Sequence, residues 1–370
     1  AVSYSDIDSG LKDSFDIPEF GISGTNSIDL DAKSWNAEVQ YLYRTERFRF
    51  IAGIGGFDAD RKDRIQDDFQ QQYPPFSEQT DETFNSSVSQ VNAYIYSLFE
   101  QSEKLTWTFG LSGDFYDAES FDRNQVNPKF GLTWELNPAT VLRLAAFRTL
   151  KRPLIANQTI EPTQVAGFNQ FYDGVEGEEA WRYGVAIDHR ISSRFFGGFE
   201  LSKRDLTVPT EIYIPDPVPF LDVQRFDGEE KFGRAYLHWT IGPTFIIGLD
   251  YLYEKFKNEG DVGPAEIVEL KTHRVPLSLR YFHPSGFTGR LAVTYVDQSG
   301  VFGGFLPTAG SDNFAVVDAS ISFRLPKRFG LISLDARNIL DKSFMFQDTD
   351  PAYPRIQPGR LVLLKFSLSF

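Results

Sequence analysis

The sequence predicts an all-β protein, a transmembrane, antiparallel, up-and-down β-barrel of about sixteen strands. Three observations lead to this fold class. Apolar and polar residues alternate along most of the chain, as in strands with one apolar and one polar face. Aromatic residues make up 15% of the 370 residues, which favours strands. Short and long connections alternate between the strands, as expected when the two sets of loops lie on opposite sides of a membrane.

The predicted strands have roughly the length that crosses a bilayer when tilted. They cover residues 1–8, 33–44, 47–58, 88–101, 104–117, 127–136, 140–150, 180–191, 194–204, 231–241, 244–255, 268–282, 287–299, 313–325, 329–340 and 359–370. The longer connections are residues 9–32, 59–87, 118–126, 151–179, 205–230, 256–267, 300–312 and 341–358. An even strand count puts both ends of the chain on the side of the short turns. The sequence therefore predicts short periplasmic turns and long extracellular loops around a single domain, residues 1–370.

The apolar face of these strands is expected to meet lipid. In strand 104–117, Trp107 and Phe109 alternate with Thr108 and Asp114. All five tryptophans fall on the apolar face and near strand ends: Trp35, Trp107, Trp134, Trp181 and Trp239. Because amphipathic rings are best placed at the membrane–water interface, these residues predict two aromatic girdles.

The polar face carries many charges of both signs. The predicted lumen-lining residues are Glu38, Lys129, Glu135, Arg143, Arg182, Asp188, Arg190, Glu200, Arg234, Asp250, Glu254, Arg280, Arg290, Asp318, Arg324, Asp335, Arg337 and Lys365. Charges inside a barrel are tolerated if water fills the lumen or if the charges pair. The mixed signs predict internal Arg–carboxylate ladders rather than a simple anion or cation filter.

Several function classes have little support. The net charge of −14 argues against nucleic acid as a partner. No cysteine is present, and the four histidines have no metal-ligand spacing, so no metal, cofactor or catalytic residue is predicted. The acidic run Asp58–Asp68 is expected to be a solvated loop, because it lacks the glycine and terminal glutamate of a calcium loop.

One long connection is a candidate for control of the lumen. The stretch from Leu150 to Phe171, nearly all of it within the connection 151–179, contains few charges after Arg152. The segment either folds inward as a constriction or caps the mouth of the barrel, and the sequence leaves both arrangements open.

Two resemblances extend this interpretation. The C-terminal strand, which ends on Phe370, is similar to the last strand of Gram-negative outer-membrane barrels, in which the final aromatic residue is an assembly signal. Together with the stretch from Asp335 to Phe346 and with Pro358-Gly-Arg, it resembles the end of a TonB-dependent receptor barrel. The stretch from Arg148 to Asp173 resembles outer-membrane proteins that carry periplasmic tetratricopeptide repeats and are similar to exopolysaccharide export porins.

These resemblances imply a location in the bacterial outer membrane, with outer-membrane lipid and the barrel-assembly machinery as partners. They also lead us to expect that the chain is the C-terminal part of a longer protein. The upstream part is expected to be a periplasmic region of tetratricopeptide repeats. The expected function is a channel for polymer export. The alternatives are an importer like the TonB-dependent receptors, or a barrel sheath that holds a partner such as an electron-transfer cytochrome.

Overall fold

The computed structural model describes residues 1–17, 21–72, 75–118, 122–152, 159–170, 174, 176–214, 220–259, 267–303, 307–347 and 356–368. These residues form eighteen β-strands. The strands are β1 (Val2–Ile17), β2 (Ile22–Arg44), β3 (Phe48–Gln71), β4 (Phe76–Ser102), β5 (Leu105–Ala118), β6 (Asp122–Asn137), β7 (Thr140–Leu150), β8 (Gln164–Val165), β9 (Phe168–Asn169), β10 (Glu179–Arg190), β11 (Phe195–Ile214), β12 (Phe220–Ile241), β13 (Phe245–Asn258), β14 (Ile267–Phe282), β15 (Phe287–Phe302), β16 (Thr308–Arg324), β17 (Gly330–Arg337) and β18 (Leu361–Leu368).

Sixteen of these strands form one sheet in which every neighbouring pair is antiparallel. Its order follows the chain from β1 to β7 and from β10 to β18, while β8 and β9 form a separate two-stranded sheet. Within the described residues, β1 and β18 stand at the two ends of this order. The predicted fold class, including the up-and-down topology and the sixteen strands, is confirmed.

The sheet exposes its apolar face and buries its polar face, which is the reverse of a sheet in a soluble protein. In β5, Phe109 is 49% exposed and Phe115 is 55% exposed, whereas Thr108 and Asp114, which directly precede them, are 7% and 5% exposed. Burying polar groups while exposing aromatic ones is unfavourable in water, and it is favourable where lipid surrounds the apolar face. The face that carries Phe109 is called the apolar face below, and the face that carries Thr108 is called the polar face.

Five of the eight predicted long connections are wrong as loops, because the strands continue through them. Residues 9–32, 59–87, 118–126, 205–230 and 300–312 lie mostly in β1 to β6, β11, β12, β15 and β16. The expectation had limited strands to the thickness of a bilayer, but cross-strand pairing continues beyond that length. The acidic run from Asp58 to Asp68 therefore belongs to β3, where Arg64 pairs with Asp81 of β4 at 2.5 Å, and is no free loop.

The turn between β16 and β17 packs closely against β18. At the turn after β16, a single turn of 3₁₀ helix, Pro326–Arg328, precedes Gly330. Gly330 has φ 157°, and a Cβ there would overlap the backbone of Ser367 in β18. Phe370, the predicted assembly signal, lies outside the described residues. No helix among the described residues is long and apolar enough to cross a membrane.

Candidate functional site

Ion pairs connect neighbouring strands along the polar face between β7 and β14. Arg143 Nε lies 3.0 Å from Asp188, and Arg234 lies 2.6 Å from Asp250. The other pairs on this part of the face are Arg182–Glu200, Arg204–Glu230 and Arg274–Glu254. Because each pair joins adjacent strands, the charges neutralise one another locally. The expected Arg–carboxylate ladder is present on this part of the sheet.

Other charges of the predicted set are less involved in ion pairs. Lys365 lies 3.4 Å from Asp335, and Asp318 accepts a hydrogen bond from the backbone N–H of Asn338. Arg190 donates to the carbonyl of Pro138. The remaining residues of this group are exposed and form no ion pair with another described residue: Glu135, Arg280, Arg290, Arg324 and Arg337. Their role as lumen lining stays a prediction.

The tryptophans lie on the apolar face, at different degrees of exposure. Trp35, Trp134 and Trp239 are exposed, whereas Trp107 and Trp181 are half-buried. Trp35 packs on Tyr4 with ring centroids 4.7 Å apart, and Trp181 stacks on Tyr183 at 6.1 Å. The two-girdle arrangement remains a prediction.

Residues 159–170, called the strap below, lie against the polar face. The strap contacts β2 at one end and β10 at the other, two strands that are separated by five others in the order of the sheet. At about 4.8 Å per strand, this path covers roughly 29 Å along the wall. The segment therefore folds inward along the wall, which is the first of the two arrangements left open by the sequence.

Glu38 of β2 holds the start of the strap. Its carboxylate accepts hydrogen bonds from Thr159 Oγ1 at 3.0 Å and 3.1 Å, and from the backbone N–H of Ile160 at 2.8 Å. Gln40 also donates to the carbonyl of Ile160. Glu38 is 5% exposed, because the strap covers it. A charge-assisted hydrogen bond from a backbone N–H to a buried carboxylate fixes the chain at that point.

A buried ion pair holds the strap at Glu161, one residue beyond Ile160. Arg152 Nη2 lies 2.6 Å from Glu161 Oε2, and the two side chains are 5% and 3% exposed. Burial acts to lower the pKa of Arg152, but the Glu161 and Asp114 carboxylates more than offset it, so the net pKa is raised and the guanidinium stays charged. Tyr96 donates to Glu161 and in turn accepts from Gln170 Nε2 at 2.9 Å. This network closes the strap on itself and on β4.

The hairpin β8–β9 at the far end of the strap sits in a socket of small residues. Gly131, Ala145 and Gly184 are directly opposed on β6, β7 and β10. A Cβ built on Gly131 would lie 2.9 Å from both Ala166 Cβ and Val165 Cγ1, and one on Gly184 would overlap the ring of Phe168. The hairpin can approach the wall only because these two positions lack side chains.

Phe168 fills this socket beneath two guanidinium groups. Its ring centroid lies 5.5 Å from Arg143 Cζ and 5.8 Å from Arg182 Cζ, and the side chain is 1% exposed. Arg182 also donates to the carbonyl of Asn169 at 2.7 Å. The hairpin is thus held by apolar burial, cation–π contacts and a hydrogen bond together.

The socket lies at about the middle of the wall. Ala145 is the central residue of the eleven-residue strand Thr140–Leu150. The hairpin enters from the end at Leu150 and reaches Arg143, which packs against Gly167. The strap therefore narrows the space beside the polar face at mid-depth and not only at its rim.

A second segment also folds onto the polar face. Asn338 is 1% exposed, and its amide bonds the backbone N–H and carbonyl of Lys342. Phe344 stacks on Phe314 of β16 at 4.1 Å, and Gln347 exchanges hydrogen bonds with Gln298 of β15. The positive φ of Asn338 and Asp341 makes the turn possible.

No group of three or more His, Cys, Asp or Glu side chains suited to a metal ion occurs in the described part of the chain. The four histidines hydrogen-bond locally, as His238 does to Asp250 at 3.5 Å and His273 does to Tyr251 at 2.8 Å. They are not brought together.

The inverted faces and the sixteen-stranded order define an outer-membrane β-barrel. Residues 3–339 match the family model described as "TonB dependent receptor-like, beta-barrel". The chain belongs to this family, and it is a bacterial outer-membrane protein. No curated protein sequence matches the chain.

Solved structures of low sequence identity share the fold. The ferric citrate transporter FecA is 12% identical with a TM-score of 0.59, and the match covers 95% of this chain and 56% of that one. The ferripyoverdine receptor of Pseudomonas aeruginosa is 10% identical, with a TM-score of 0.59 and coverage of 93% and 50%. The ferric preacinetobactin receptor BauA from Acinetobacter baumannii is 11% identical, with a TM-score of 0.58 and coverage of 100% and 60%. The chain thus spans about half the length of the structures that it matches.

The comparisons support one of the two resemblances. The resemblance to TonB-dependent receptor barrels is confirmed by the family model, whose match to residues 3–339 rests on the barrel rather than on the C-terminal stretch. The likeness to tetratricopeptide-repeat proteins and the expected role in polymer export have no support in these matches.

Proposed function

We propose that this barrel is the wall of an outer-membrane receptor that imports a small metal chelate, in an energy-dependent step that acts through TonB. The observation that carries the proposal is the strap. A lumen narrowed by an inward segment that lies along the wall and is anchored at Glu38, Glu161 and Phe168 suits controlled passage better than permanent passage. The family match favours import over export.

The proposed ligand class comes from the proteins that share the fold. Three of them are a ferric citrate transporter, a ferripyoverdine receptor and a ferric preacinetobactin receptor. Each of these ligands is a chelated ferric ion. We extend this class, and no particular chelate, to the present chain.

In this proposal the strap has to leave its socket when ligand passes. Most of its bonds are polar and are made to residues of the wall, so water or ligand groups can replace them when it moves. The apolar part is small and consists mainly of Val165 and Phe168. This composition suits a segment that is held in place and yet can be displaced.

A disulfide lock tests the proposal. The chain has no cysteine, so Gly131→Cys with Ala166→Cys would introduce the only two thiols. A Cβ at Gly131 lies 2.9 Å from the Cβ of Ala166. The two Cβ atoms of a disulfide are typically about 3.8 Å apart, so the hairpin has to move away from the wall by roughly 1 Å for the bond to form.

Uptake of radiolabelled ferric citrate, ferripyoverdine and ferric preacinetobactin is measured in cells that express the protein and lack their own receptors for these chelates. If the protein is a receptor of this kind, the cells take up at least one of the three chelates, and an uncoupler that removes the proton gradient stops this uptake. Oxidation of the disulfide lock should also stop uptake, and reduction should restore it. The single substitutions Gly131→Cys and Ala166→Cys serve as controls, the first because a Cβ at Gly131 presses on Val165 and Ala166 even without a disulfide. Only a loss of uptake that appears in the double variant on oxidation and disappears on reduction is assigned to the lock. A passive channel, for export or otherwise, would be insensitive to the uncoupler.

A further inference from the structure

Four lysines stand side by side on the apolar face, in one row across four strands. Lys203 of β11 is opposed to Lys231 of β12, which is opposed to Lys255 of β13, which is opposed to Lys271 of β14. Directly opposed residues of antiparallel strands point to the same face. Like charges in this arrangement repel each other, so the row costs stability unless groups of opposite charge lie beside it.

The row lies where the lipid-facing surface ends. The next positions towards the short turns are Leu201, Gly233, Tyr253 and His273, and below them the face is apolar. Tyr183 of β10 is opposed to Lys203 and stacks on Trp181. Tyrosine and tryptophan belts mark the level of the lipid headgroups. These lysines are therefore the first charged row above the apolar surface, on the side of the long connections.

Carboxylates reduce the repulsion, and they lie on the far side of the row from the apolar surface. Glu229 bridges Lys203 and Lys231 at 2.9 Å and 2.6 Å, and Glu269 bridges Lys255 and Lys271 at 3.2 Å and 2.5 Å. Asp205 lies 2.8 Å from Lys203. These acidic residues occupy the next row, so the lysines are the charges nearer to the membrane. Each ammonium group has three donors, and those not used by the carboxylates can point towards a headgroup.

The charges of β1 to β3 are arranged differently. One row beyond Trp35 towards the long connections, the opposed residues on the apolar face are Asp6, Lys33 and Asp60, which have mixed signs. The chain as a whole has a net charge of −14, so an uninterrupted row of four cations is unusual within it.

We propose that this lysine row binds the phosphate groups of an outer-leaflet lipid headgroup. The row would fix the barrel against a phosphorylated glycolipid on one side of its circumference. The four ammonium groups lie in neighbouring strands about 4.8 Å apart, so they can contact more than one phosphate of the same headgroup.

Binding of bisphosphorylated lipid A to the detergent-refolded full chain tests this site by native mass spectrometry. Lys231→Gln with Lys255→Gln is expected to weaken binding about thirty-fold, the factor for two basic residues beside an anionic lipid surface. Lys231→Arg with Lys255→Arg retains the charges and should keep the affinity within about threefold, since both basic side chains are attracted alike. The matched control is Lys33→Gln with Lys62→Gln, which removes two exposed lysines from β2 and β3 and should leave binding unchanged.

Two further arms identify the source of the phosphate. Fully dephosphorylated lipid A should bind the native chain as weakly as the double glutamine variant binds the bisphosphorylated form. Inorganic phosphate at millimolar concentration should compete poorly. The proposal is overturned if the glutamine variant and the Lys33/Lys62 control lose affinity equally, if the phosphate-free lipid binds as well, or if inorganic phosphate alone displaces the lipid.

Discussion

Phe168 of the strap lies directly over Gly184 of β10, and a Cβ on this glycine would overlap its ring. The opposed residue on β7 is Ala145, so the phenyl ring rests on a floor with almost no side chains. The seating of the strap thus depends on the absence of atoms at a wall position as much as on any bond that the strap makes.

Filling this position should expel the hairpin. Gly184→Val is expected to leave the barrel folded, because the strand keeps its backbone pairing and valine favours strands. Limited proteolysis of the refolded protein should then cut within residues 159–170, which the native chain protects. Gly113→Ala is the matched control, since a Cβ there meets only ordinary contacts with Phe115. Equal protection in Gly184→Val and the native chain would contradict the socket.

The Arg152–Glu161 pair should show strong coupling. Because both side chains are almost fully buried, removing one partner leaves an uncompensated charge, which costs about 3–5 kcal/mol. Glu161→Gln and Arg152→Met are each expected to lower the free energy that holds the strap against the wall by this amount. The double variant should cost less than the sum of the two, as measured by hydrogen exchange at the strap amides. Additive effects would show that the pair does not act as a unit.

The assignment of the two faces predicts opposite effects of neighbouring substitutions. Phe109→Arg places a charge in lipid and should destabilise the barrel by about 2–4 kcal/mol, if Phe109 lies near the midplane of the bilayer. Thr108→Ser, on the polar face of the same strand, should be mild. The free energy of unfolding in lipid vesicles measures both. Thr108→Arg would have to be as harmful as Phe109→Arg to contradict the assignment.

The terminal residue predicts a difference between cells and detergent. If Phe370 is the assembly signal that the family resemblance implies, its deletion should lower the amount of assembled barrel in outer membranes. Refolding in detergent should change little, because the pairing of Leu361–Leu368 with β17 does not involve the deleted residue. The amount of assembled barrel is measured by immunoblotting of outer-membrane fractions, and it is compared with the refolding yield of the same two proteins in detergent. Normal assembly of the deletion in cells would remove this role.

The sheet could be predicted from the sequence because a period of two also fixes which side chains share a face. Phe109 and Thr108 were placed on opposite faces by this alternation alone, and the structure agrees. The extent of β3 was not predictable in the same way. The expectation stopped it at a bilayer length, whereas Arg64 and Asp81 continue the pairing well beyond.

The strap could be predicted only in part. The sequence marks residues 151–179 as a long connection, but the site on which this segment packs depends on the register of the strands beneath it. Gly131, Ala145 and Gly184 are unremarkable in sequence and form a socket only once three strands are aligned. For the same reason Glu38 and Lys129 were expected to face an open lumen, whereas both are buried, Glu38 directly beneath the strap.

The most direct test of the account is the conductance of the refolded full chain in a planar lipid bilayer, compared with a variant in which residues 159–170 are replaced by a short Gly/Ser linker. If the strap narrows the lumen at mid-depth, the variant should show clearly larger and steadier single-channel currents than the native chain. Gly113→Ala, refolded in the same way, should behave like the native protein. Equal currents in the native chain and the strap-less variant would contradict the central claim that this segment controls the lumen.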